Sequence, residues 1–141
     1  SLFKDEVRRV GKQLGIPDEL VWRQPFPGPG LGVRIIGEIT AEKVKILQEA
    51  DWVLRDEMKK NGYEREMAQF FCVLPGVSTV GVMGDHRTYD HLLAIRADSR
   101  LGAHPLRHPR DSLEQDNEEV KHINRVVYDV TSKPPATVEW E

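Results

Sequence analysis

A chain of 141 residues that is 39% hydrophobic and 30% charged has the size of one domain and enough apolar material for a modest core, which excludes a disordered chain. A formal net charge of -3 argues against a nucleic-acid binder. The single cysteine, Cys72, excludes an intrachain disulfide, and no apolar run is long enough to span a bilayer; the expectation is a soluble, cytoplasmic domain in a reducing compartment.

The first segment, SLFKDEVRRVGKQLG, places Leu2, Phe3, Val7, Val10 and Leu14 at helical spacing, with Gly15 as a stop. It is amphipathic and charged, not a signal peptide, and reads as a helix cut out of a longer chain. Asp18 is expected to cap a short turn carrying Leu20, Val21 and Trp22. In Pro25-Phe-Pro-Gly-Pro-Gly-Leu-Gly32 proline removes backbone donors and glycine opens positive φ, so a rigid connector is expected. A dinucleotide-binding loop would need free amides and a following helix, which this stretch lacks.

Val33 to Gly37 reads as a short strand. Thr40 is placed to cap a long helix from Ala41 to about Lys60. Its inward stripe is Val44, Leu47, Leu54 and Met58, flanked by Ile46, Ala50 and Val53, and Asn61-Gly62 ends it. Strands follow at 69–74, 77–83 and 88–95, punctuated by Pro75-Gly76 and Gly84-Asp85. Such short runs between turns predict an antiparallel meander. A last strand is expected over 124–131. Residues 97–119 are polar and proline-containing, and predict a solvated loop. Pro105 argues against His104 and His108 sharing a helical turn as metal ligands. The fold expected is α+β: a small antiparallel or mixed sheet with the long helix on one face.

No nucleophile–base pair stands out, and Cys72 lies in an apolar run as a small core residue. Polar groups cluster beside turns and at the C-terminus instead: Gln69, Asp85, Arg87, Arg125, Lys133, Glu139 and Glu141. As a set they suit an anionic, hydrogen-bond-rich ligand, with arginine and lysine for phosphate and the amide and carboxylate for a base or sugar.

RQPFPGPGLGVR, VGVMGDHRTYD, AIRA and INRVVYDVTSKPPATVEWE together resemble the C-terminal part of the glutamine-hydrolysing GMP synthase family. The resemblance covers residues 1–96 and 120–141. It implies an enzyme with a glutaminase domain, an ATP-pyrophosphatase domain and a C-terminal dimerisation domain. In that family ATP adenylates the C2 oxygen of XMP, and ammonia from glutamine displaces AMP to give GMP. Residues 1–22 then correspond to the tail of the ATP-pyrophosphatase domain, 23–32 to a linker and 33–141 to the dimerisation domain.

The resemblance also implies roles at matching positions. Arg125 and Lys133 meet the 5′-phosphate of XMP. Gln69, Val138 and Glu139 address the rest of the nucleotide, with Glu139 on ribose hydroxyls. Asp85 and Arg87 belong to a motif that reaches a nucleotide across the subunit interface. No catalytic residue or metal is expected in this chain, because neither the glutaminase triad nor the SGGxDS loop is present; ATP and Mg²⁺ belong to the full enzyme. The partners implied are a second copy in a homodimer, XMP and the other two domains, with no nucleic acid and no membrane. Residues 97–119 depart from the family, lacking its aromatic residues and helical stripe. Two other readings stand beside this one: a purely structural dimerisation module without nucleotide binding, and a nucleic-acid module using the basic cluster at 100–110.

Overall fold

The computed structural model describes residues 3–23, 30, 32–99, 120–131, 135–137 and 139–140. Helix α1 (Lys4–Gln13) starts where the Phe3 amide donates to Glu6 Oε2 at 2.8 Å, and the short α2 (Asp18–Val21) follows. The α2 cap position belongs to Pro17 rather than Asp18. The Asp18 carboxylate instead lies 3.3 Å from Lys12 Nζ, an exchange of a local capping bond for an ion pair between the helices. Arg8 stacks over the Trp22 ring at 5.2 Å. Phe3, Val7, Leu14 and Leu20 nevertheless remain more than half exposed, so the apolar side of this helical pair finds no cover within the described chain.

Helix α3 (Ala41–Lys60) has the predicted bounds. Thr40 Oγ1 accepts from the Lys43 amide at 3.2 Å, satisfying one of the amides that a helix N-terminus leaves free. Of the predicted stripe, Leu47, Leu54 and Met58 are buried in the core with the flanking Ile46, Ala50 and Val53, and Val44 is half-buried against it. The strands are β1 (Met67–Val73), β2 (Ser78–Met83), β3 (His86–Ser99) and β4 (Ile123–Tyr128).

Strand β3 organises the sheet. It pairs antiparallel with β1 over 94–99 and with β2 over 86–91. It pairs parallel with β4 over 91–95. The His91 amide donates to His122 O at 3.0 Å and the next amide, Leu92, to Val77 O at 2.9 Å. Successive amides point to opposite edges of a strand, so β1 and β2 share one edge of β3 and β4 holds the other.

Three sequence expectations are corrected here. β1 and β2 do not form a meander; Pro75-Gly76 interrupts the strand without reversing it, so both halves run along β3. The strand expected at 33–37 is a 3₁₀ turn, Gly32–Arg34, followed by a single bridge between Ile35 and Leu74, because Arg34 turns inward to reach Asp51 of α3 at 2.7 Å. The third strand runs on past its expected end at Ile95 to Ser99, taking in residues 97–99, which were expected in the polar loop. The rest of that loop, His104 and His108 included, lies outside the described residues, as do residues 24–29 and 31 of the connector. The α+β class, with a mixed sheet under one long helix, is the observed architecture.

The sheet has two unlike faces. On the helix face, Phe70, Cys72, Leu93, Ile95 and Ile123 form one cluster with the α3 stripe. Cys72 is fully buried there, as the apolar run around it predicts. On the opposite face, Phe71, Val73 and Ala94 form a small second cluster against which Trp140 of the C-terminal tail packs. That second face is called the tail face below. No described helix is long and apolar enough to cross a membrane.

Candidate functional site

Strand alternation and the two clusters assign the predicted residues to faces. Phe70 faces the helix and Phe71 the tail, so Gln69, two residues before Phe71, shares the tail face. It is half-buried and lies opposite Asp98 of β3, beside a bulge. In β4, Val126 and Tyr128 pack on the helix-side cluster, which leaves the exposed Arg125 on the tail face, opposite Leu92. Asp98 and Leu92 lie six residues apart on β3, about 20 Å at the rise of an extended strand. Gln69 and Arg125 therefore stand at two ends of one face.

A buried cation lies between them. Arg96 is 1% exposed and sits opposite Phe71 on the tail face. Its Nη1 donates to Asp129 Oδ2 at 2.7 Å and to the Thr131 carbonyl at 3.2 Å. Its Nε donates to Asp98 Oδ2 at 3.3 Å. Nη2 lies 3.3 Å from the same oxygen but makes no aligned hydrogen bond. The Thr131 amide donates to Asp129 Oδ1 at 3.0 Å, closing a turn in which the aspartate binds the backbone two residues on. Burial raises the Asp129 pKa, but the Thr131 amide and Arg96 outweigh it and hold the carboxyl below its ordinary value.

This turn ends β4 at Tyr128, earlier than the predicted strand end at Thr131. Tyr128 Oη donates to the Ala97 carbonyl at 2.7 Å, and burial pushes its phenol up to about 12. The tail then returns to the sheet. Trp140 is half-buried against Phe71, Val73 and Ala94, while its neighbour Glu139 is exposed. Lys133 and Val138 lie outside the described residues. What the geometry brings together is thus Gln69, Asp98, Arg96, Asp129 and the two described ends of the tail.

Asp85 and Arg87 are elsewhere. Gly84, at φ 59, and Asp85 form the two-residue turn between β2 and β3, the place where such hairpins demand a positive φ. Arg87 is exposed, nine residues before Arg96 on one strand, about 30 Å away. This hairpin is steadied by Asn124, whose side chain bonds the Thr79 hydroxyl and carbonyl. Gly81 permits that approach, since a Cβ there would meet Asn124 Cβ at 2.7 Å.

The predicted set omitted Arg96, Asp98 and Asp129. A signal for Arg96 was present in HLLAIRADS: continuing the alternation past Ile95 puts Arg96 on the side of Ala94, a charge inside an otherwise buried register. Asp129-Val-Thr131 carried the turn signal of an aspartate two residues before a free amide. Among the described residues no three His, Cys, Asp or Glu side chains come together as a metal site. A recess of about 370 Å³ on α3 is lined by Gln48, Glu49, Trp52, Val53 and Val120, none of them a predicted site residue.

The model of the GMP synthase C-terminal domain matches residues 56–140. Along its whole length the chain is 60% identical to the glutamine-hydrolyzing GMP synthase of Geobacillus kaustophilus. It is 59% identical to the corresponding proteins of Bacillus cytotoxicus and Bacillus thuringiensis subsp. konkukian. It spans 29% of the length of each of these curated relatives.

Proposed function

The chain belongs to the GMP synthase C-terminal domain family, and from that premise we propose that it is the dimerisation and XMP-binding portion of a cytoplasmic, glutamine-hydrolysing GMP synthase, a ligase that makes GMP from XMP, ATP and glutamine. Residues 1–22 are then the tail of the ATP-pyrophosphatase domain and 23–32 the linker. The exposed apolar residues of α1 and α2 fit a segment that completes a neighbouring domain. ATP, Mg²⁺ and the adenylation chemistry belong to that domain, so this chain contributes binding and not catalysis.

The observation that carries the reading is the tail. A frayed terminus would leave Trp140 in water, but here it packs on the sheet while the chain entering the tail is tied to a buried arginine. Loss of conformational freedom in the free protein reduces the entropy lost on binding. Glu139 directly precedes Trp140, which packs on the face that carries Arg125 and Gln69. The long separation of Gln69 and Arg125 suits opposite ends of a nucleotide, with Arg125 and Lys133 on the 5′-phosphate and Glu139 on the ribose. Asp85 and Arg87, at the hairpin tip about 30 Å along β3 from Arg96, are assigned in this reading to a nucleotide held by the partner copy.

Titration of XMP into this chain together with the ATP-pyrophosphatase domain tests the reading. Saturable binding that is lost on removing residues 138–141, with the fold intact, is the expected result. Absence of saturable binding rejects it and leaves a purely structural dimerisation module.

A further inference from the structure

We propose that Arg96 is a positioning residue for XMP: by binding Asp129 and the Thr131 carbonyl it fixes the direction in which the tail leaves the sheet, and so places the nucleotide-binding groups that follow. The proposal rests on the reading of the tail as an XMP-binding element. Nothing in it requires Arg96 to touch the nucleotide.

Arg96 is buried with 1% exposure, and a buried guanidinium is retained only where partners surround it. Three of those partners are Asp98 on its own strand and Asp129 and Thr131 at the tail entrance. Asp98 is the cross-strand neighbour of Gln69. One cation therefore ties the entrance of the tail to the row that carries Gln69. The far end of the tail is held separately, through Trp140 on Phe71, Val73 and Ala94, and Phe71 is the residue opposite Arg96. Thr131 at the entrance and Trp140 at the far end are thus both held at one small patch of the tail face. Lys133 follows Thr131 by two residues in the sequence. The planar fork matters: a lysine supplies one point charge and cannot hold Asp129, Thr131 and Asp98 in fixed directions.

The test uses Arg96→Lys and Asp129→Asn in the full-length enzyme that carries this chain, with Arg96→Met as a stronger disruption. The measurements are KM for XMP, ATP and glutamine, kcat, and amide hydrogen exchange over 129–140. Arg96→Lys is expected to raise the KM for XMP at least tenfold, to leave the KM for ATP and glutamine within twofold, and to speed exchange in the tail while α3 keeps its protection. Asp129→Asn should move the same quantities in the same direction by less. An unchanged KM for XMP in both variants overturns the proposal. So does a parallel change of all three KM values with loss of α3 protection, which marks a merely structural arginine. If the unaltered enzyme never saturates with XMP, the reading of the tail fails first and takes this inference with it.

Discussion

On the helix face of the sheet, Phe70, Cys72, Leu93 and Ile95 cluster with Leu47, Leu54 and Met58, whereas on the tail face Phe71, Val73 and Ala94 share the surface with a buried arginine and its carboxylates. Burial of hydrocarbon is non-directional and roughly proportional to area. It holds α3 down but says little about where a flexible strand of chain should point. Ion pairs and charge-assisted hydrogen bonds contribute less net stability once desolvation is counted, yet they fix direction. The difference teaches a division of labour. One face makes the domain stable, and the other uses that stability to hold the entrance of the tail and Trp140. An intermediate case is the α3 ion group, where Asp51 binds Arg34 and Arg55 at 2.7 Å each: it pins the 3₁₀ turn to the helix at the margin of the dry core.

The sharpest way to break the contrast is from the helix face. Leu47→Ala removes a fully buried side chain and should lower the unfolding free energy by about 2–5 kcal/mol in urea titrations. A cost near zero would mean that α3 is not the stabilising layer. Next in size, Lys133→Ala should weaken XMP binding by about 1–3 kcal/mol through loss of a charged hydrogen bond to phosphate, with the urea midpoint unchanged. Calorimetry with equal affinities for both proteins would remove Lys133 from the site. Gly81→Ala forces a Cβ against Asn124 and Thr88 and should destabilise by about 1–3 kcal/mol, since the facing atoms include Asn124 Cβ, close to the backbone. A neutral result would show that the Asn124 anchor is not tight.

The smallest expected effect is pH-dependent and belongs to the tail face alone. The folded pKa of Asp129 is lowered, so its contribution to stability is present above the ordinary carboxylate value of about 4 and is lost as pH falls through the folded value. The stability difference between the native chain and Asp129→Asn should therefore shrink on acidification from pH 6 and vanish in strong acid. A difference that persists unchanged into strong acid would remove the charge from the explanation.

Local signals were enough for α3: a capping threonine, a 3.6-residue apolar stripe and Asn61-Gly62 at its end made it legible to the residue. The strands were legible as apolar runs, but their partners were not. Pro75-Gly76 looks like a hairpin turn in sequence, and only long-range pairing with β3 shows that the chain passes straight through it. The parallel pairing of β4 has the same cause, because nothing local to residues 123–128 states direction. Arg34 turned an expected strand into a 3₁₀ turn through a bond to Asp51, seventeen residues away. For the site, residue types and the family resemblance picked out groups that could bind a nucleotide, but not their spacing. The face shared by Gln69 and Arg125, and the remoteness of Asp85 and Arg87, follow from register. Arg96 was missed because the polar residues after it made the strand look finished at Ile95.

KPPATVEWE, the last nine residues, carries the central claim, and amide hydrogen exchange of residues 129–140 in the full-length enzyme tests it most directly. The prediction is that saturating XMP slows exchange throughout that segment while the amides of α3 are unchanged. Turnover of XMP with no change in tail exchange would contradict the assignment of the tail as a nucleotide-binding element.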